Sequence, residues 1–205
     1  PPRVPFKMEI NSFATPSLII IFIAVMTIFL SRNWRWGLTS LGIMYLGVFG
    51  LIAISWPTNL AVVKLISGWL ASSVLAITQI FSTQKSKQVS QPTSEFIFWA
   101  FSAILIIIIS YSLSSSLLVW LPIFEFQQSL GGILLMGMGL LSLGFSNQGF
   151  RVSMSLLIFL AGFEILYAAV EASVLVAGLL AVVNLGIALS GAYLIVSRTE
   201  EKQTS

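Results

Sequence analysis

The sequence predicts an all-α integral membrane protein with about seven transmembrane helices, and two observations support this prediction. Hydrophobic residues make up 57% of the 205 residues and charged residues only 8%, whereas an ordinary soluble domain is about 25% charged. The apolar residues also fall into long runs, each near the roughly 20 residues that a helix needs to cross a bilayer. Because an open strand edge would leave backbone groups unpaired in lipid, we expect these runs to be helices.

The apolar runs define seven spans. The first is expected to be a retained helix, because the residues that follow it, SRNWRW, offer no small-residue cleavage site for a signal peptidase. The chain ahead of it is Pro-rich and expected to be irregular, and the polar tail after the last span is expected to fray. The predicted spans are residues 14–31, 36–55, 58–81, 96–120, 128–146, 150–170 and 173–197.

A polar, proline-containing segment, STQKSKQVSQPTSE, separates the third span from the fourth. We expect it to be a linker, since it is the one long interruption between the apolar runs. The chain then divides into a three-helix segment (1–81), a polar cytoplasmic linker (82–95), a fourth helix with its outer loop (96–127), a second three-helix segment (128–197) and a polar tail (198–205).

The positions of Lys and Arg orient the helices. Basic residues follow the first, third, fifth and seventh spans, whereas the other connections contain two Glu and neither Lys nor Arg. Because cytoplasmic loops are enriched in Lys and Arg, we expect the N-terminus outside and the C-terminus in the cytoplasm. Arg3 and Lys7 are exceptions. Five tryptophans lie near predicted span ends, as an interfacial aromatic belt requires: Trp34, Trp36, Trp56, Trp99 and Trp120.

A weak internal repeat is also visible. The segment SRNWRWGLTSLGIMYLGVFGLI (31–52) aligns with SNQGFRVSMSLLIFLAGFEILY (146–167), which places Gly47 on Gly162. Helices one to three and five to seven would then be parallel copies, and the fourth helix would return the second copy to the same orientation. The alternative is that any two helices rich in Leu and Gly align this well.

The composition excludes several kinds of chemistry. The chain contains no Cys, His or Asp, so it lacks the usual ligands of haem, iron–sulfur clusters and structural zinc, and the groups of a His-dependent triad. It has neither a GxxxxGK[ST] phosphate loop nor a GxGxxG fingerprint. The net charge of +3 is too diffuse to indicate nucleic acid. We therefore expect no metal, no cofactor and no catalytic site of its own.

Two ionisable residues, Lys64 and Glu164, lie well inside the predicted spans, where a charge costs roughly 2.5–3.5 kcal/mol. Counting 1.5 Å per residue places both roughly 10 Å from the outer surface, so the two could be neighbours. Burial disfavours a charged carboxyl and a nearby ammonium favours it, and a carboxyl between these effects can exchange a proton. We interpret the two as a proton relay; the alternatives are a static ion pair, or a Lys64 that snorkels to the surface.

Other polar residues allow simpler interpretations. Asn184 lies near the centre of the seventh span, where a buried amide needs a partner, and it fits an interhelical hydrogen bond or a relay station equally well. Glu171 is expected to be exposed in a loop. The serines of the fourth span are expected to bond to carbonyls one turn back, and the many glycines of the second half are expected to allow tight helix packing.

The segment 130–196 resembles the K-type membrane subunit of respiratory complex I, with its relatives in Mrp sodium/proton antiporters (the C-type subunit) and hydrogenase-4 component E. The resemblance lies in GILLMGMGLLSLGFSNQGFRVSMSLLIFLAGFEILYAA, where a Leu- and Gly-rich helix and a basic turn precede a Gly-hydrophobic-Glu-Ile pattern. It implies that Glu164 is the family's membrane-embedded proton-relay carboxylate. The family's next helix usually carries a second buried Glu, whereas this chain has Asn184. In whole-chain length, component E is the most similar.

These features together predict a non-redox membrane subunit of a larger ion-translocating complex, of the respiratory, Mrp or membrane-hydrogenase kind. It would relay protons through Glu164, Lys64 and Asn184 to an antiporter-like neighbour, in a bacterial cytoplasmic membrane. The alternatives are a structural subunit that conducts no ions, and a small independent secondary transporter. The last is disfavoured because the spans offer few polar groups for a substrate.

Overall fold

The computed structural model describes residues 6–31, 33–83, 93–146 and 148–204. Across these residues the chain forms seven α-helices and no strand. Each helix is long and apolar enough to cross a membrane, so the predicted all-α class and the number of spans are confirmed. The helices are α1 (Phe6–Leu30), α2 (Trp34–Ser55), α3 (Thr58–Thr83), α4 (Thr93–Trp120), α5 (Phe126–Gly144), α6 (Gly149–Val170) and α7 (Val174–Thr204).

The two terminal helices are longer than predicted. α1 begins at Phe6 rather than at residue 14, and α7 continues to Thr204 through the tail that was expected to fray. The prediction of a frayed tail is wrong because hydropathy reports where a chain leaves the hydrocarbon, and not where its backbone ceases to be helical. The tail contains Arg, Glu, Lys and Gln, all of which form helices well. The Pro-rich start, residues 1–5, lies outside the described residues.

The predicted linker 82–95 is shorter at both ends. α3 runs to Thr83 and α4 begins at Thr93. Residues 84–92 lie outside the described part of the chain.

The helices form two layers of three. We call α1–α3 the first half and α5–α7 the second half. Within each half, consecutive helices pack on one another, and across the halves α1 contacts α5, α2 contacts α6 and α3 contacts α7. α4 packs on α5 at the outside. Consequently α2 and α6 are the most enclosed helices. In each of their apolar spans 56% of the residues are buried, whereas in that of α4 only 17% are.

The central helices of the two halves are equivalent elements. α2 begins at Trp34 and α6 at Gly149, and they end at Ser55 and Val170, so both ends are separated by 115 residues. The residues that precede and follow each helix have extended backbone conformations in both halves. The sequence alignment of 31–52 with 146–167 has this same separation.

Glycines mark the same helix crossing in each half. A Cβ atom on Gly47 of α2 would lie 2.8 Å from the carbonyl oxygen of Ser17 on α1, and one on Gly162 of α6 would lie 2.6 Å from that of Gly132 on α5. Ser17 and Gly132 are also 115 residues apart. The two crossings therefore use equivalent atoms, as the predicted repeat requires, and only a residue without a Cβ fits at either one.

The third helix of each half, α3 or α7, follows the same repeat with a shift of one residue. α3 begins at Thr58 and α7 at Val174, a separation of 116, because the turn before α7 is one residue longer. Buried positions follow this separation, so Lys64 matches Leu180 and Asn184 matches Gly68. The matched buried positions are Ala61 with Ala177, Lys64 with Leu180, Gly68 with Asn184, Ser72 with Ala188 and Leu75 with Gly191.

Candidate functional site

Lys64 and Glu164 form an ion pair between the two halves of the molecule. The ammonium group of Lys64, on α3, donates a hydrogen bond to Oε1 of Glu164, on α6. Their side chains are only 2% and 1% exposed. The prediction that the two residues lie at a similar depth is therefore confirmed, and the alternative in which Lys64 snorkels to the surface is wrong.

Asn184 completes the site from α7. Its side chain is fully buried, and its Nδ2 donates to the same Oε1 of Glu164 over 3.2 Å. The amide is oriented by this contact, because its carbonyl oxygen would repel the carboxylate at the same place. The interhelical hydrogen bond expected of a buried amide is therefore present, and one carboxylate oxygen accepts from both an ammonium and an amide.

The pairing explains how two charges are held inside the bundle. An unpaired charge in an apolar interior is strongly unfavourable, and removal of one partner from a buried pair leaves such a charge behind. Here Lys64 comes from the first half, whereas Glu164 and Asn184 come from the second. The two charges are thus paired across the two halves. Ser67 adds a local hydrogen bond, because its hydroxyl donates to the Lys64 carbonyl oxygen over 3.0 Å.

Tyr45 is a buried polar residue of this region that the sequence did not indicate. It lies on α2 and is 1% exposed. Its ring packs on α3 at Gly68, where a Cβ atom would run into the ring. Tyr45 resembles an ordinary core residue in the sequence. The available signal was Gly68, which occupies in the first half the position that Asn184 occupies in the second.

Gln128 is a second polar residue that sequence reasoning missed. It is 1% exposed, and its Nε2 donates to the Leu51 carbonyl oxygen and to the Ser55 hydroxyl, each over 2.8 Å. These bonds join the first turn of α5 to the last turns of α2. Because residue 128 lies at the edge of a predicted span, its burial could not be expected from hydropathy. Its amide links helices across the two halves.

The residues that follow α2 and α6 meet at one end of the bundle. Nε1 of Trp56 donates to the carbonyl oxygen of Glu171 over 2.9 Å, and the two residues are equivalent in the repeat. Glu171 is exposed, as predicted, and its carboxylate accepts a hydrogen bond from the Tyr167 hydroxyl over 3.1 Å. Trp56 lies at a helix end, as predicted, although it is buried within the protein.

The simple interpretations of the serines and glycines hold in part. Ser115 and Ser116 donate to carbonyls one turn back in α4, as predicted. Gly139 and Gly162 lie against backbone atoms of the neighbouring helix, so the packing interpretation is confirmed there. It is wrong for three other glycines of the second half, where a Cβ would meet nothing within 4 Å: Gly144, Gly178 and Gly186.

Comparisons of the chain with protein-family models, with curated proteins and with solved structures find no match. The site holds one carboxyl, one amine and one amide, all shielded from solvent. Such a set can hold and transfer a proton. The described residues contain no group of three His, Cys, Asp or Glu side chains that could hold a metal ion.

Proposed function

We propose that this chain is a non-redox membrane subunit of a larger ion-translocating complex, of the respiratory, Mrp-like or membrane-hydrogenase kind. It relays protons through Glu164, Lys64 and Asn184. The observation that supports the proposal most is the buried Lys64–Glu164 ion pair at the interface of the two halves. Ionisable residues inside membrane spans are unfavourable, and they mark proton and ion pathways in known transporters.

The Lys64–Glu164 pair can exist in two protonation states that have the same net charge. A proton that moves from the ammonium of Lys64 to Oε1 of Glu164 converts an ion pair into a neutral amine and a neutral carboxylic acid. The net charge of the site stays the same, so this step does not leave an isolated charge in a low-dielectric interior.

The partners and the membrane belong to the same proposal. The pattern at residues 162–166 resembles that of subunits that lie beside large antiporter-like subunits, so we propose such neighbours, within a bacterial cytoplasmic membrane. The basic residues that follow the first, third, fifth and seventh membrane spans support an N-terminus outside and a C-terminus in the cytoplasm.

Cysteine labelling tests this orientation, because the sequence contains no Cys. Thr58, the first residue of α3, is exposed, and Ser86 belongs to the polar segment between α3 and α4. We expect Thr58→Cys to react with an impermeant reagent only from outside and Ser86→Cys only from the cytoplasmic side. Labelling of both from the same side would contradict the orientation.

Proton translocation tests the relay. The complex, purified through a tag on this chain, is placed in liposomes, and its assembly is checked on a native gel. We expect Glu164→Gln to assemble and to lose most translocation, since glutamine keeps the shape but carries no exchangeable acid proton. Glu164→Asp should keep part of it. The exposed Glu171→Gln is the matched control and should translocate at the wild-type rate.

The double variant Lys64→Met/Glu164→Gln separates a relay from a structural pair. It has no stranded charge, so it should assemble better than either single variant, yet it should still fail to translocate protons. An assembled double variant that translocates at the wild-type rate would contradict the relay. It would favour a structural subunit, for which the placement of the pair between α3, α6 and α7 also provides a reason. Purification as a solitary chain without partners would favour an independent transporter.

A further inference from the structure

We propose that a water molecule binds between Tyr45, Glu164 and Asn184, and that it is the proton donor to Glu164, with Tyr45 as the positioning residue. The consequence for transport rests on the proposed function, whereas the existence of the water site does not. Three buried oxygen atoms support the site: the Tyr45 hydroxyl, Oε2 of Glu164 and Oδ1 of Asn184.

None of these three oxygens has a hydrogen-bond partner within the part of the chain that the structure describes. The three side chains are at most 1% exposed, and they come from α2, α6 and α7. Buried polar atoms in folded proteins nearly always have a partner, either protein or ordered water. Oε1 of Glu164 already accepts from Lys64 and Asn184, so the second oxygen of the carboxylate is the one left for another donor.

The three groups complement a water molecule. Oε2 of Glu164 and Oδ1 of Asn184 can only accept, whereas the Tyr45 hydroxyl can donate. One water can donate a hydrogen to each of the two acceptors and accept from the tyrosine, which is the usual total of about three bonds for a buried water. A metal cation fits less well, because Lys64 already balances the one carboxylate, and hard cations prefer several charged oxygen ligands.

The packing of Tyr45 supports its part in the site. Its ring lies against Gly68, on the same face of α3 as Lys64 and one turn further along. Gly68 is required for this arrangement, because a side chain there would displace the ring. Tyrosine on α2 and glycine on α3 thus place the Tyr45 ring beside the turn of α3 that follows Lys64.

This geometry gives the relay a defined donor. A proton that reaches the water as hydronium passes to Oε2 of Glu164, so that one O–H bond of the hydronium breaks, one forms on the carboxyl, and neutral water remains. Unlike the transfer between Lys64 and Glu164, this step adds one positive charge to the site, and the charge is lost again when a proton leaves the site. The Tyr45 hydroxyl donates to the water oxygen and thereby directs the water hydrogens toward Glu164 and Asn184. Tyr45 acts through the water and does not exchange a proton itself.

The test combines electron cryomicroscopy of the assembled wild-type complex with transport by Tyr45→Phe, which removes only the hydroxyl. We expect density for one water within hydrogen-bond distance of all three oxygens. We expect Tyr45→Phe to assemble normally and to translocate protons roughly tenfold to a hundredfold more slowly, as the loss of one buried hydrogen bond implies. Tyr193→Phe is the matched control, because Tyr193 is exposed on α7, and it should behave as wild type.

Two results would overturn the inference. Wild-type density that shows no water between the three oxygens would remove the site, whatever the variants do. A Tyr45→Phe complex that translocates at the wild-type rate would remove the role of Tyr45. If Glu164→Gln also translocates at the wild-type rate, the proposed function fails, whereas the wild-type density still decides whether the water site exists.

Discussion

The two halves of the molecule cross their helices in the same way but carry different groups at matched positions. Gly47 in α2 and Gly162 in α6 lie against equivalent backbone atoms of the preceding helix. Two residues after each glycine, however, the first half has Phe49 and the second has Glu164. At the position of Lys64 it is the first half that carries the charge, since Lys64 matches Leu180 in the second half.

This difference shows how one charged site arises in a repeated apolar framework. Each half departs from that framework at a different position, and the departures meet where α3, α6 and α7 come together. Neither half satisfies its own charge, because Lys64 finds its partner only in the second half. The ion pair therefore links the halves as well as providing the groups of the proposed relay.

The largest expected effect comes from breaking this link. Lys64→Met leaves a carboxylate in an apolar interior, and Glu164→Gln leaves an ammonium there, so each should lower the free energy of unfolding by about 3–5 kcal/mol. The double variant should lose less than either single variant, because it leaves no charge behind. Reversible unfolding in mixed micelles measures this cycle. Additive effects would contradict direct contact between the two side chains.

The next largest effect tests whether the helix crossings at Gly47 and Gly162 are equivalent. Gly47→Leu and Gly162→Leu each force a side chain against backbone atoms of the neighbouring helix. We expect both to lower the free energy of unfolding by a similar amount, about 1–3 kcal/mol. Gly178→Leu, at a position with open space, is the control and should not lower it, because leucine also forms helices better than glycine. A large loss at only one of the two crossings would argue against equivalence.

The sequence predicted the helices well because length and hydropathy are local properties. It also placed Lys64 and Glu164 at a similar depth, since depth follows from counting residues along a helix. It could not predict which helices pack together, so Asn184 remained without an assigned partner and the burial of Tyr45 and Gln128 was missed. The end of α7 was predicted wrongly, although the apolar spans were predicted well, because hydropathy reports the solvent around a helix and not where the helix ends.

The smallest expected effect sharpens the distinction between polar groups that hold the halves together and those that relay protons. Gln128 joins α5 to α2, and the matched residue of the first half is Phe13. Gln128→Leu should lower the free energy of unfolding by about 1 kcal/mol and leave proton translocation unchanged. Its neighbour Gln127, which is half-buried, provides the control Gln127→Leu. A translocation defect confined to Gln128→Leu would place that amide on the proton path.

Infrared difference spectroscopy of the complex during turnover tests most directly whether Glu164 exchanges protons. A buried carboxyl that gains and loses a proton produces a carbonyl stretching band of the protonated acid, which shifts in heavy water. We expect this band in wild type and in Glu171→Gln, and we expect it to be missing in Glu164→Gln. A band that persists unchanged in an assembled Glu164→Gln complex, or a wild-type complex that turns over without one, would contradict proton exchange at the ion pair.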